Sequence, residues 1–205
     1  EAWITTMPMS ISIGAADWMN LAALHRYPSM RIALSEGGIG WIPYFMERAD
    51  FTHQQHNAWT HSNNYMGERK PSEIFKRHFL NCFIDDTFGL HNIEWIGEDN
   101  IAYECDYPHS DTLWPRSPES LWQSIKHLSE PQIDKITHLN AMRDFQFEPF
   151  KHYEKQELSV AALRARAREQ RVDTSYRSSG GAAPLAMGEA PRPVTSNDVV
   201  KMFKF

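Results

Sequence analysis

The feature that most restricts the fold of this chain is a repeated alternation between short apolar runs and segments of helical length. The runs at residues 9–13, 30–35, 78–86 and 100–106 have the length of buried strands. Between and after them, the sequence favours helices at residues 15–28, 41–51, 72–78, 90–96, 117–128 and 131–145. This alternation predicts an α/β protein with a parallel sheet.

The chain divides into a compact region and an extension. We assign residues 1–150 to the compact region, because the strand and helix patterns end there. Residues 158–170 predict an amphipathic basic helix, and residues 172–196 are rich in Gly, Pro, Ala and Ser, a composition that does not favour regular structure. The chain opens on Glu1 and enters an apolar run almost at once, so we treat it as a possible piece of a longer protein.

Composition and charge narrow the function classes. With 205 residues, of which 41% are hydrophobic, the chain can bury a core. A net charge of -5 disfavours nucleic-acid binding, and no apolar run approaches the roughly 18 to 20 residues of a membrane span. Two cysteines make no disulfide framework and suit a reducing compartment. We therefore expect a cytoplasmic protein whose partner is a small molecule, with no nucleic acid and no membrane.

Two carboxylates mark the end of the strand predicted at residues 100–106. Period-two alternation places Glu104 and Asp106 on the same face of that strand. The carboxyl ends of strands are where α/β barrels and open α/β sheets place their active sites. Asp106 is therefore a candidate metal ligand, or a base that takes a proton from water. The alternative is a strand-end acid that caps the following turn.

A second candidate lies in the stretch SEGGIGW, where Glu36 follows a predicted strand and precedes a glycine-rich turn. Glycines let the backbone turn sharply and leave room for a substrate beside the carboxylate. The alternative is a glycine turn with an exposed glutamate. The stretch does not fit GxGxxG and has no basic residue to hold phosphate, so it does not predict nucleotide binding.

Other polar clusters have a plainer interpretation. His53, His56 and His61 fall in residues 52–71, which we predict to be a polar loop, and they lack the helical His pairing of zinc proteases. We interpret them as solvated. Asp85 and Asp86 end a predicted strand, and either one of them faces the site or both begin the turn to Gly89.

Four stretches of the chain, taken together, resemble one known family. They are RYPSMRIALSEGGIGWIPYFMERAD, HFLNCFIDD, GEDNIAYECDYPHSDTLWP and HLNAMRDFQF. They are similar to the C-terminal half of the amidohydrolase-related family, which includes aminocarboxymuconate-semialdehyde decarboxylase and the resorcylate decarboxylases. The resemblance covers nearly all of residues 1–150, and the tail looks like the extension of one large bacterial branch of that family.

The resemblance implies the C-terminal portion of a (β/α)8 TIM barrel, followed by a helix and an extended tail at residues 151–205. It also implies one divalent metal at the carboxyl face of the barrel, zinc by preference and manganese or iron otherwise, with Asp106 as a ligand. Glu104 and His109 are expected to line the site and bind substrate. Glu36 stands where relatives carry a catalytic histidine in a His-Gly-Gly context, and we assign acid/base chemistry to Glu36 together with Asp106.

The chain departs from the family in its metal ligands. The first-strand His-x-His pair and the strand-five histidine of the family have no counterpart before Glu36. Residues 1–150 also fall short of the roughly 250 residues of a full barrel. We therefore expect segments absent from this chain to complete the metal site, and we expect this chain alone to be inactive.

These observations lead to one predicted function with two alternatives. We predict a metal-dependent hydrolase of the amidohydrolase superfamily that acts on a small carboxylated or cyclic substrate. The first alternative is a non-oxidative decarboxylase, a carbon–carbon lyase of the same family. The second is a non-catalytic, truncated barrel that serves as an assembly subunit. We also expect a homo-oligomer formed through the barrel surface and the C-terminal tail.

Overall fold

Three short parallel strands surrounded by helices form the centre of the computed structural model, which describes residues 2–175. The elements in chain order are α1 (Ala2–Met19), α2 (Ala22–Arg26), β1 (Ile32–Leu34), α3 (Ile42–Thr60), α4 (Asn63–Met66), α5 (Pro71–His78), β2 (Phe79–Phe83), α6 (Thr87–His91), α7 (Ile93–Ile96), β3 (Ile101–Tyr103), α8 (Ser117–Ile125), α9 (Glu130–Asp134), α10 (Asn140–Phe145) and α11 (Val160–Glu169). A π-helical turn at Lys135–Leu139 joins α9 to α10.

The sheet has the order β1-β2-β3, and both pairs of neighbouring strands are parallel. Ile32 pairs with Phe79 in the first ladder, and Asn81 pairs with Ile101 in the second. Helices lie between successive strands along the chain, which is how parallel neighbours are connected. The predicted α/β class with a parallel sheet is therefore present as a small sheet, while a complete barrel is not present in residues 2–175.

The predicted strand at residues 9–13 was wrong, because this segment lies inside helix α1. A short apolar run does not distinguish a strand from a helix that buries one side. Two serine hydroxyls of this segment form hydrogen bonds with carbonyl oxygens of the preceding helical turn. Ser10 Oγ donates to Met7 O at 2.7 Å, and Ser12 Oγ donates to Met9 O at 2.6 Å. The helix buries Ala15 and Met19 at its C-terminal end.

Helix α3 extends beyond its predicted end at residue 51 and continues to Thr60. The polar segment that follows residue 51 was therefore wrongly predicted to be a loop along most of its length. Its polar side chains satisfy one another within the helix, since Trp59 Nε1 donates to His56 Nδ1 at 3.0 Å. His61, the residue after the helix, has a left-handed backbone with φ of 56°, which ends the helix.

The main core lies on the face of the sheet covered by the helices. Phe79 and Phe83 of β2 and Ile101 of β3 are fully buried there. Phe75 of α5 stacks on Phe79 with ring centroids 4.6 Å apart, which adds to the stabilisation from burial. The opposite face carries smaller side chains that form a second buried cluster, made of Leu80, Cys82 and Ala102.

The extension after residue 150 packs on its own chain where the structure describes it. Helix α11 falls within the predicted basic helix, and Ser159 caps its first turn by accepting from Ala162 N. Arg164 of α11 pairs with Glu119 at 2.6 Å and also donates to Pro115 O. The predicted irregular segment lies, from residue 176 onward, outside the described residues. No helix among residues 2–175 is long and apolar enough to cross a membrane.

An ion pair ties the start of the sheet to the last helix of the compact region. Arg31, which precedes β1, donates to Asp144 of α10 at 2.8 Å, and Arg143 donates to the same carboxylate. Burial by itself raises the pKa of Asp144, but hydrogen bonds from Arg143 and Arg31 outweigh it and hold the pKa below its usual value. The native state therefore favours the ionised carboxylate.

We expect Asp144→Asn to lower the free energy of unfolding by about 2 kcal/mol at pH 7. A carboxylate whose pKa is depressed by folding stabilises the protein above its unfolded pKa of about 3.9, and this contribution disappears as the pH falls through the lower native pKa. The difference from wild type, measured by urea titration, should therefore shrink below about pH 4. Asp134→Asn, which removes an exposed carboxylate on α9, is the control and should change stability little at either pH.

Candidate metal centre

The candidate site lies where the carboxyl ends of the three parallel strands meet. Glu36 follows β1 by two residues, Asp86 follows β2 by three, and Glu104 and Asp106 follow β3 within three residues. Parallel strands bring these turns to one edge of the sheet. The acidic residues singled out in the sequence therefore share one edge of the sheet.

Three side chains at this edge form one cluster of potential ligands. One ligand atom each from Glu36, Asp106 and His109 lies within 4.8 Å of the other two. His109 Nδ1 is 2.7 Å from Asp106 Oδ2. The cluster is accessible, because Glu36 and His109 are exposed while Asp106 is half-buried.

The backbone of the cluster is strained at two of its three members. Glu36 has φ of 59° and Asp106 has φ of 52°. For residues with a Cβ, this left-handed conformation costs about 1–2 kcal/mol, and such strain concentrates at functional sites. After Asp106 the chain turns at once, since His109 N donates to Asp106 O at 2.8 Å across a cis Tyr107–Pro108 bond. This turn brings the imidazole back beside the carboxylate.

Glu104 supports the loop that carries Glu36. Its Oε1 accepts a hydrogen bond from Glu36 N at 2.6 Å, while its own N–H extends the β-ladder by donating to Phe83 O. Burial raises the pKa of Glu104, and the neighbouring charges of Glu36 and Asp106 raise it further, although the Glu36 N–H lowers it. The predicted substrate-binding role of Glu104 stays a prediction, and the contact observed is with the backbone of its neighbour.

The alternation that was used to pair Glu104 with Asp106 does not extend to Asp106. Strand β3 ends at Tyr103, and the left-handed backbone at Asp106 breaks the period of two. The turn nevertheless places Asp106 beside Glu36, because the ends of β1 and β3 lie on either side of β2 at one edge of the sheet. The period-two alternation by which the sequence grouped Glu104 with Asp106 therefore holds only up to residue 104.

Sequence reasoning did not place His109 in a ligand set. The sequence analysis predicted only that His109 lines the site. Its position three residues after Asp106 was the one sequence feature that could have indicated a ligand. A short turn between the two residues is what brings Nδ1 and Oδ2 together. His53, His56 and His61, by contrast, belong to or follow α3, outside this cluster.

A cavity of about 780 Å³ lies between α11 and the segment that leads from Cys105 into α8, with Cys105, Trp114 and Leu163 among its lining residues. Glu36, Asp106 and His109 are not among the residues that line this cavity, so the cavity and the ligand cluster are separate features. Cys105 lies between them in the chain, with Sγ 3.5 Å from Ser117 Oγ.

The residues present fit a divalent metal ion. Carboxylate oxygens and imidazole nitrogens are ligands for zinc, manganese and iron, and catalytic zinc usually takes three protein ligands. Among the described residues, Asp106 Oδ2 is buried with no hydrogen-bond partner, and its ion-pair contact is with His109 Nδ1 at 2.7 Å. A buried carboxylate oxygen without a hydrogen bond is costly unless a cation compensates it. A cation between Asp106 and His109 would supply that compensation.

Comparison with known proteins decides the family. The amidohydrolase family model matches residues 15–147. The chain belongs to the amidohydrolase family. The predicted resemblance is thereby confirmed, and the matched region contains Glu36, Glu104, Asp106 and His109. None of the curated protein sequences matches the chain significantly.

Solved structures that resemble this chain include two decarboxylases and one amidohydrolase. A 5-carboxyvanillate decarboxylase from Sphingomonas paucimobilis is 22% identical with a TM-score of 0.55, over 69% of this chain and 41% of that chain. An amidohydrolase from Mycobacterium avium subsp. paratuberculosis K-10 is 20% identical with a TM-score of 0.57, over 69% of this chain and 34% of that chain. A dihydroxybenzoic acid decarboxylase from Polaromonas sp. JS666, with bound manganese and the inhibitor 2-nitroresorcinol, is 25% identical with a TM-score of 0.52, over 72% of this chain and 42% of that chain.

These similarities show the fold of part of an amidohydrolase-family enzyme. The alignments span between 34% and 42% of the length of the solved structures. The three-stranded parallel sheet and its helices thus correspond to a portion of those proteins, as predicted, and the rest of a barrel is not among residues 2–175. The division of the chain at residue 150 and the individual residue roles stay predictions.

Because the backbone of the cluster is strained, substitutions by glycine should raise stability and remove metal binding at the same time. We expect Glu36→Gly and Asp106→Gly each to raise the free energy of unfolding by up to about 1 kcal/mol, because glycine adopts positive φ without strain. Both changes should abolish metal binding. Thermal denaturation and zinc titration of the same variants check the two effects. Gln146→Gly, at a left-handed residue after α10, is the control and should raise stability with zinc binding unchanged.

Proposed function

We propose that this chain supplies part of the active site of a metal-dependent amidohydrolase that hydrolyses a small carboxylated or cyclic substrate. The observation that carries the proposal is the convergence of Glu36, Asp106 and His109 within 4.8 Å at the carboxyl edge of a parallel sheet. Family membership supports the same chemistry.

Asp106, His109 and Glu36 are the residues that would hold the ion, with zinc as the first choice and manganese or iron as alternatives. A bound divalent ion supplies Lewis-acid polarisation of a substrate oxygen. Two loops position these ligands, the one after β1 for Glu36 and the one after β3 for Asp106 and His109, so the geometry depends on how firmly each loop is held. Further ligands from segments outside this chain remain part of the proposal, since relatives of this fold are more than twice as long as the aligned region.

Glu36 is the proposed acid/base group. Its side chain is exposed and contributes one oxygen to the ligand cluster, so the other carboxylate oxygen can take a proton from water that approaches the substrate. A glutamate offers two oxygens, and one suffices for the ligand cluster. Glu104 holds the Glu36 backbone through its hydrogen bond and borders the same space.

Decarboxylation is the second candidate reaction. Two of the solved structures that resemble this chain are decarboxylases, and one of them is 25% identical over 72% of this chain. In that reaction, a proton must be delivered to the carbon that loses CO2, and Glu36 is the group positioned for it. The same residues thus serve either reaction, with the direction of proton transfer reversed.

The proposal also covers the location and the assembly of the protein. We propose a cytoplasmic enzyme that forms a homo-oligomer through the barrel surface and the C-terminal extension. A non-catalytic barrel that acts as an assembly subunit is the alternative, and it predicts no dependence of any activity on Asp106.

Metal binding is the first experimental test. Zinc titration by isothermal calorimetry, on a protein that contains this chain together with the rest of the barrel, should give about one site per chain. Asp106→Asn should weaken binding by at least tenfold, because it removes a charged ligand. His109→Ala should act in the same direction. Asp134→Asn removes an exposed carboxylate from α9 and should leave the affinity unchanged. Equal binding by wild type and Asp106→Asn would contradict the proposed site.

The reaction itself can be assigned with isotopes on a protein that contains this chain. Small aromatic and cyclic carboxylates are incubated with zinc or manganese in water enriched in 18O. Hydrolysis places 18O in the product, whereas decarboxylation releases CO2 and leaves a product one carboxyl group smaller. Glu36→Gln should lower the rate of either reaction by about 10²–10⁴-fold. Full activity in Asp106→Ala would contradict the role proposed for Asp106.

A further inference from the structure

Asp86 binds the backbone of the glycine-rich loop that follows Glu36. Its Oδ2 accepts hydrogen bonds from Ile39 N and Gly40 N, both at 2.7 Å. Its Oδ1 accepts from Gly89 N at 2.8 Å and thereby caps α6. One carboxylate therefore joins the turn after β2 to the loop after β1.

Three backbone donors on one carboxylate make a strong connection. Hydrogen bonds with an ionised acceptor are shorter and roughly twice as strong as neutral ones. Gly37, Gly38 and Gly40 contribute no side chains to the loop. Its carbonyls at Gly37 and Gly38 accept from Trp41 Nε1, whereas its N–H groups at Ile39 and Gly40 depend on Asp86. Ile39 is fully buried and anchors the loop on the core side.

The two loops also approach too closely for a side chain at Gly89. A Cβ at this position would lie 2.3 Å from Ile39 Cγ1 and 2.9 Å from Gly40 N. Glycine at position 89 is therefore what allows Asp86 to reach the neighbouring loop. The contact between the two loops thus depends on the carboxylate of Asp86 and on the absence of a Cβ at Gly89.

A second carboxylate holds the other end of the same loop. Glu104 Oε1 accepts from Glu36 N at 2.6 Å, so acids that follow β2 and β3 bind the loop at residues 39–40 and at residue 36. Between these two attachment points, Glu36 adopts its left-handed backbone and Gly38 has φ of 61°. Release of one attachment leaves the strained conformation of Glu36 held by only one of the two carboxylates.

We propose that Asp86 is a positioning residue that holds Glu36 in its ligand-competent conformation. The proposal rests on the proposed metal function of Glu36, and it assigns Asp86 no contact with the ion or the substrate. Asp86 acts through the backbone at Ile39 and Gly40, three to four residues from the carboxylate that it positions.

The test combines three variants with two measurements. Asp86→Asn keeps the shape but replaces one acceptor oxygen by an amide donor, and Gly89→Ala pushes the two loops apart without a change of charge. Asp50→Asn is the matched control, because Asp50 makes the same kind of contact far from the site, accepting from Ser72 N at 2.8 Å and from Ser72 Oγ. The measurements are the zinc dissociation constant and the hydrogen exchange of the amides of Glu36, Ile39 and Gly40, followed by NMR without metal.

We expect Asp86→Asn and Gly89→Ala each to raise the zinc dissociation constant at least tenfold and to speed exchange at Glu36 N as well as at Ile39 N and Gly40 N. Asp50→Asn should lower the melting temperature without either effect. Faster exchange confined to Ile39 and Gly40, with Glu36 N as protected as in wild type, would overturn the proposal. If a protein that contains this chain together with the rest of the barrel binds no zinc, the proposed metal function fails, and the exchange at Glu36 N still decides whether Asp86 positions this residue.

Discussion

The site depends on the way in which the loop after β1 satisfies its backbone N–H groups. This loop leaves the sheet with almost no side chains of its own, and acids from the two neighbouring strand ends accept its hydrogen bonds. A buried or half-buried N–H without a partner would cost about as much as a lost hydrogen bond. Asp86 and Glu104 therefore fix the loop conformation, and the position of the Glu36 side chain follows from it.

The arrangement gives up stability for the sake of the cluster. Glu36 and Asp106 both adopt left-handed backbones that glycine would adopt at lower cost, and Asp106 Oδ2 is buried with no hydrogen-bond partner among residues 2–175. None of these features strengthens the fold of the described chain. In the proposed metal site, a cation among the three ligand atoms would compensate the buried oxygen, and its binding energy would offset the backbone strain.

The sequence predicted much of the sheet, and it failed where local pattern and tertiary contacts diverge. The strands at residues 32–34, 79–83 and 101–103 followed from apolar runs between helices. Residues 9–13 show the same pattern but belong to a helix, since a run of five residues has no period of its own. The contacts of Asp86 and the inclusion of His109 could not be predicted, because both depend on turns that bring residues of different loops together.

The measurement that tests the account most directly is anomalous diffraction from crystals of the protein soaked in zinc. The account predicts a peak bound by Glu36, Asp106 and His109, with ligand distances of about 2.0–2.2 Å. The Glu36 backbone should keep its left-handed conformation in that crystal. A crystal that takes up no zinc at this edge of the sheet, or binds it only elsewhere, would contradict the claim that the three residues form a metal centre.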